Sequence, residues 1–170
     1  FLYFIANNLF LSFLFLIFIP MKIAIGTDHA AYDVKNEVVA FLKSKGHEVT
    51  DCSEPDGTRV DYPDIAERVA HLVLKKEADH GVLLCGTGIG VSISANKVPG
   101  IRAALCHDAY TASMARQHND AHIVCAGARV TGPEVIKQIV DVFLTTAFLG
   151  GYHGCRVEKI MALEKPTAAQ

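Results

Sequence analysis

Val82-Leu83-Leu84-Cys85-Gly86-Thr87-Gly88-Ile89-Gly90-Val91-Ser92 decides the fold of this chain. The apolar opening is a buried-strand signal that ends on a cysteine and passes at once into a glycine-rich turn. The turn runs on into a small-residue helix through Ser94-Ala95-Asn96-Lys97. Glycines here let backbone N–H groups come close to a ligand, because no Cβ intervenes. The helix start adds partial positive charge, so an anion or a developing oxyanion is favoured, and Cys85 stands at the rim of that field. These residues point to a cysteine that moves protons beside a loop that holds the resulting negative charge.

The same alternation extends to both sides. Upstream, Lys22-Ile23-Ala24-Ile25-Gly26 is a short strand, and Tyr32 to Lys45 has helical spacing with Gly46 as C-cap. Glu48 to Asp51 is a weaker strand, Cys52 to Asp61 a loop, and Pro63 opens a helix that runs to about Lys76. Downstream, Ile101 to Cys106 is a strand, and Asp108 can N-cap the helix that ends near His118-Asn119-Asp120. Ala121 to Ala126 is the fifth strand, with His122 inside it. A long helix is predicted from Pro133 to about Leu149, and a short one from Arg156 to Leu163. Strands alternating with helices imply a parallel sheet covered on both faces. Ligands of such sheets bind at the carboxyl ends of the strands. Asp28, His29, Cys85, His107 and Arg129 all fall just past strand ends, and the expected site joins His118 to the loop and Cys85 at that rim.

The 170 residues suit one domain, and a net charge of −2 gives no reason to expect nucleic acid or an anionic membrane as partner. Five scattered cysteines without a CxxC pair suggest neither a disulfide framework nor a zinc ribbon, and favour a reducing, cytoplasmic compartment. Phe1 to Pro20 is uncharged and crowded with Phe, Leu and Ile, nearly the ~20 residues a membrane span needs. It lacks the basic start and the cleavage site of a secretory signal. The reading favours a non-native or mis-assigned leader over an anchor, with 21–170 as the folded domain and no membrane partner unless the leader is real.

Each motif has a plainer reading beside the chemical one. The glycine loop fits neither the dinucleotide fingerprint nor the P-loop, so NAD or ATP is poorly supported. Cys106 and Cys125 read as small buried hydrophobes, and Cys85 differs from them only by its loop. His118 could be a polar helix end or an acid–base group that titrates near neutrality. The spacing His118-x3-His122, with Cys106, His107 and Asp108 upstream, raises a metal site, but no HExxH or CxxC supports it. Arg129 and Arg156 are the guanidinium groups best placed for a phosphate, although Arg102 and Arg116 are equally eligible by composition. Tyr62 lines a pocket or staples its helix.

Gly26-Thr27-Asp28-His29-Ala30, Asp61-Tyr62-Pro63, Cys85-Gly86-Thr87-Gly88-Ile89-Gly90, Ala95-Asn96-Lys97, Gly100-Ile101-Arg102-Ala103 and Arg116-Gln117-His118-Asn119-Asp120 occur in this order. Together they closely resemble the type B ribose-5-phosphate isomerases of the ribose/galactose isomerase family, over Met21 to about Leu163. The resemblance implies a Rossmann-like three-layer α/β sandwich with a five-stranded parallel sheet, and a homodimer with active sites at the interface. It implies no metal or organic cofactor, and interconversion of ribose 5-phosphate and ribulose 5-phosphate through an enediolate. By position, Cys85 is the base and His118 opens the furanose ring, with Asn119 beside it. Thr87 and the N–H groups of Gly86, Gly88 and Gly90 resemble the family's oxyanion cradle. Asp28 and Tyr62 would orient sugar hydroxyls, while His29, Arg129 and Arg156 would hold the phosphate. Some members use a Glu as base, but the residue here is Val91, so the cysteine version applies. Where members often read Gly-Gly-Arg-His, this chain has Gly150-Gly151-Tyr152-His153. One expected arginine is thus missing, and a lost charge-assisted hydrogen bond of ~1.5–3 kcal/mol weakens phosphate binding about tenfold or more unless the Tyr152 hydroxyl replaces it. Two alternatives stay open: a six-carbon sugar phosphate such as galactose or allose 6-phosphate, and a non-catalytic nucleotide- or phosphate-sensing module.

Overall fold

The computed structural model describes residues 20–164. The leader up to Ile19, and the tail from Lys165, lie outside the described residues. Five strands make one parallel sheet in the order β2-β1-β3-β5-β4. They are β1 Lys22–Thr27, β2 Glu48–Asp51, β3 His80–Cys85, β4 Ala103–Leu105 and β5 Ile123–Gly127. The helices between and after them are α1 Tyr32–Ser44, α2 Tyr62–Leu74, α3 Ile89–Ala95, α4 Ala109–Asn119, α5 Pro133–Thr145 and α6 Tyr152–Ala162. Among the described residues no helix is long and apolar enough to cross a membrane.

Strand alternation sorts the core into two layers, since successive side chains point to opposite faces. Ile23, Ile25, Val82, Leu84, Val124 and Ala126 meet Val38, Leu42, Ala112, Ile136, Ile139 and Phe143 of α1, α4 and α5. On the other face Ala24, Leu83, Cys85, Ile123 and Cys125 meet Ile65, Val69, Val91 and Ala95 of α2 and α3. This is the three-layer α/β sandwich that the alternation implied. Asp108 caps α4 as expected, its carboxylate accepting the Thr111 N–H at 2.7 Å within a capping box.

Several boundaries differ from the sequence reading. β4 begins at Ala103 instead of Ile101, because the Ile101 amide closes a turn onto Val98 O and the Arg102 amide donates to His122 Nδ1. β5 begins at Ile123 instead of Ala121. Asp120 adopts a left-handed conformation there, and the Ala121 amide still donates back to Ala115 O. His122 therefore precedes the strand. α5 stops at Thr145, not Leu149: Thr146 is extended, and both threonine hydroxyls donate to carbonyls of the last turn. Residues 146–150 then cross to α4, where the Leu149 N–H donates to Gln117 O at 3.1 Å. α6 starts at Tyr152, earlier than Arg156.

The open edge of β4 is closed by a side chain. The Asn96 amide accepts from Ala103 N and donates to Ala103 O, both at 2.8 Å, in place of a neighbouring strand. A second bond from Asn96 Nδ2 to Ser92 O ties the end of α3 to the same edge.

Candidate active site

β3 delivers Cys85 to the carboxyl edge of the sheet, 5% exposed. Its Sγ accepts the Gly88 N–H at 3.1 Å, so the sulfur faces the glycine turn as well as packed hydrocarbon. A hydrogen bond of this kind is stronger when the acceptor carries charge. Gly88 has φ +76, and a Cβ there would come within 2.8 Å of the Ala126 carbonyl carbon. At Gly127 a Cβ would sit 2.5 Å from Thr87 backbone, so the end of β5 can lie against the turn only because both positions are glycine. The Thr87 hydroxyl accepts the Ile89 N–H at 3.3 Å and stays exposed. α3 has only seven residues, so its local first-turn amides, which have no partner inside the helix, matter more than a long dipole.

Three further segments reach this rim. Asp28 is buried, and its carboxylate caps a single 3-10 turn, His29–Ala31, by accepting the Ala30 N–H at 2.9 Å. His29 is exposed on that turn. After β5, Arg129 bends back over the loop: a Cβ on Gly86 would lie 3.5 Å from Arg129 Cδ and 3.7 Å from Ala30 Cβ. Its backbone N–H donates to Gly86 O at 3.0 Å, and among the described residues its guanidinium forms no ion pair. Tyr62 opens α2 with its ring against α3, where a Cβ on Gly90 would meet it at 2.7 Å. Asp28, His29, Tyr62, Cys85, Gly86, Thr87, Gly88, Gly90 and Arg129 thus gather on one side of the molecule.

His118, Asn119 and Arg156 do not join them. α4 runs antiparallel to the strands and returns its last turn to the amino edge. There the Arg102 guanidinium donates to Asn119 O at 2.9 Å, one residue before β4. β4 and β5 start side by side, with Ala103 opposite Ile123. Since Gly127 lies beside Cys85 and four residues beyond Ile123, the two edges are about 13 Å apart. The expectation of one rim holding both Cys85 and His118 is therefore corrected within a single chain.

The amino-edge group has its own order. His118 stacks on His153 with centroids 4.1 Å apart and planes 8° from parallel. Tyr152 packs on His153 at 3.9 Å, and the Arg156 guanidinium lies 4.9 Å from the Tyr152 ring. His153, two residues after Gly151, joins this group although its sequence position alone assigns it no role. Arg102 and Arg116, eligible for a phosphate by composition, are instead committed to the protein. Both pair with the Asp120 carboxylate, at 3.2 and 2.9 Å, and both donate to backbone carbonyls beside it. They clamp the turn from which His118 and Asn119 project.

Cys106 and Cys125 are buried in the core. Burial pushes Cys106 up to about 11 and Cys125 well above its ordinary value, as suits small apolar fillers. Among the described residues no three His, Cys, Asp or Glu side chains are gathered to hold a metal. His122, the second residue of the suspected metal spacing, is engaged by Arg102, whose N–H donates to Nδ1 and whose Nη2 lies 3.1 Å from Nε2. Burial first, and then the Arg102 charge, lower its pKa from 6.5 to about 4. Between those values the unfolded chain binds a proton that the folded chain refuses, so stability falls as pH drops from 6.5 to about 4. His122→Gln is expected to flatten that fall, read as the melting temperature against pH.

Fold and rim define a doubly wound α/β protein with its ligand edge at the carboxyl ends of β1, β3 and β5. The sequence model of the Ribose/Galactose Isomerase family matches residues 23–160, and the chain belongs to that family. It is 47% identical over 144 residues to ribose-5-phosphate isomerase B of Escherichia coli, covering 85% of this chain and 97% of the relative. It is 50% identical over 141 residues to D-erythrulose-4-phosphate isomerase of Pectobacterium atrosepticum, covering 82% and 93%. Among solved structures, ribose-5-phosphate isomerase B of Clostridium thermocellum superposes with a TM-score of 0.83 at 50% identity, over 85% of this chain and 97% of that one.

Proposed function

We propose that the protein interconverts D-ribose 5-phosphate and D-ribulose 5-phosphate, with Cys85 as the carbon base. The observation that carries the reading is the Cys85 sulfur under the Gly88 amide at the carboxyl edge. In the proposed mechanism His118 donates a proton to the ring oxygen as the C1–O4 bond breaks, and the O1 hydroxyl proton passes to water. Cys85, as thiolate, then takes the C2 proton. The electron pair moves onto O1, giving an enediolate whose charge is held by amides of the Gly86–Gly90 turn and by Thr87. The O2 hydroxyl proton moves to O1, the C2 carbonyl forms, and the Cys85 thiol returns its proton to C1. Asp28 and Tyr62 orient hydroxyls, and His29, Arg129 and Arg156 take the phosphate.

This scheme needs Cys85 and His118 at one substrate, and a homodimer supplies it if the carboxyl rim of one protomer faces the amino-edge group of its partner. Exposed apolar side chains flank both halves, with Ile89 and Ile93 beside the glycine turn and Leu149 and Tyr152 beside His118. All five cysteines are free, which supports a reducing, cytoplasmic setting.

The test is turnover of ribose 5-phosphate, compared by kcat/KM with erythrulose 4-phosphate, galactose 6-phosphate and allose 6-phosphate. A clear preference for the five-carbon substrate is expected. A preference for another chain length would replace the substrate while keeping the chemistry, and binding of nucleotide without any turnover would favour the sensing module.

A further inference from the structure

We propose that His153 is a positioning residue for His118, fixing the plane from which that imidazole hands a proton to the ring oxygen of the cyclic sugar. The inference rests on the ring-opening role given to His118 above. His153 is 4% exposed, and its backbone N–H donates to Gly150 O at 3.1 Å, which seats it in the first turn of α6. One neighbour of its ring is His118, at 4.1 Å and 8° from parallel. The other is Tyr152, at 3.9 Å and 35°. Held between these contacts and the helix, His153 offers His118 a flat, immobile surface. An imidazole on such a surface can turn neither edge away without losing the stack, so its two nitrogens keep fixed directions.

The surroundings of the stack also bear on the charge of the supporting ring. Burial, then the His118 and Arg156 charges, hold His153 below its ordinary value. Tyr152 and Arg156 of α6 and His118 of α4 are the charged or titratable groups facing His153, and residues 146–150 contribute none. The surface supporting His118 is thus a neutral ring that does not compete for the proton.

The chemistry provides a readout that separates positioning from general damage. Ribose 5-phosphate is a cyclic hemiacetal and needs ring opening. Ribulose 5-phosphate is open, because the oxygen on C5 that would close its ring is esterified. Exchange of its C1 proton with D2O therefore reports Cys85 and the amide turn without His118. In the full-length protein, His153→Ala is expected to lower kcat for ribose 5-phosphate by at least about tenfold. The C1 exchange rate of ribulose 5-phosphate should stay within about twofold of the parent. His153→Phe, which keeps a flat ring, should recover most of the lost turnover. Parallel loss of turnover and exchange, unchanged turnover in His153→Ala, or a His153→Phe as slow as His153→Ala would each overturn the proposal. A parent protein with neither turnover nor exchange would instead overturn the functional reading itself.

Discussion

Cys85→Ala should leave a folded protein that no longer isomerises ribose 5-phosphate, with kcat down by about 10³-fold or more. The size of the effect follows from the step removed. A carbon acid next to an aldehyde gives up its proton slowly to water, and the rim offers no substitute base along β3. Val91, one turn into α3, is fully buried and apolar, and Asp28 has its carboxylate turned onto the Ala30 amide. The fold should tolerate the change, because Cys85 leaves only a thiol-sized gap and the sheet register around Leu83 and Gly127 does not involve its side chain. Cys85→Ser is the sharper variant: it restores a hydrogen-bond acceptor for Gly88 but not the acidity of a thiol. Near-parental turnover in either protein would remove Cys85 from the mechanism. Unfolding in urea, measured alongside, guards against reading a folding defect as a chemical one.

What the sequence made legible was local. The run Val82–Cys85 is fully apolar and lies within β3, which starts two residues earlier at His80, while Pro63 and Asp108 are start signals with one physical reading and fall at the beginnings of their helices. Element ends were harder. Nothing in the composition of Thr145-Thr146-Ala147-Phe148-Leu149 distinguishes a continuing helix from one whose threonines bond back and let the chain leave. The candidate site was legible in the same measure. Residues just after strands do meet on the carboxyl rim, since parallel strands bring their ends together. His118 lies in the last turn of a helix. Its eleven residues carry the chain back about 16 Å, which returns His118 to the opposite edge. His153 was invisible for a related reason: its meaning lies in a contact between α4 and α6, and no spacing within one helix encodes it.

Mixing two inactive variants should therefore restore activity. Cys85→Ala spoils the carboxyl-rim half-site and leaves His118 whole. His118→Ala does the reverse, and in the proposed homodimer neither variant alone has a complete site. If each site takes Cys85 from one protomer and His118 from its partner, a mixed dimer contains one site with both native residues and one with neither. Random pairing makes half of the dimers mixed, each with one working site of two, so about a quarter of the parental turnover is expected after co-expression or after refolding together. If a single protomer supplied both residues, every site in the mixture would lack one of them and nothing would be recovered. Geometry favours the first outcome, because the sheet itself separates the two half-sites by the length of β5. The measured fraction also carries information: recovery well below a quarter with normal pairing would mean that the two sites of a dimer depend on each other.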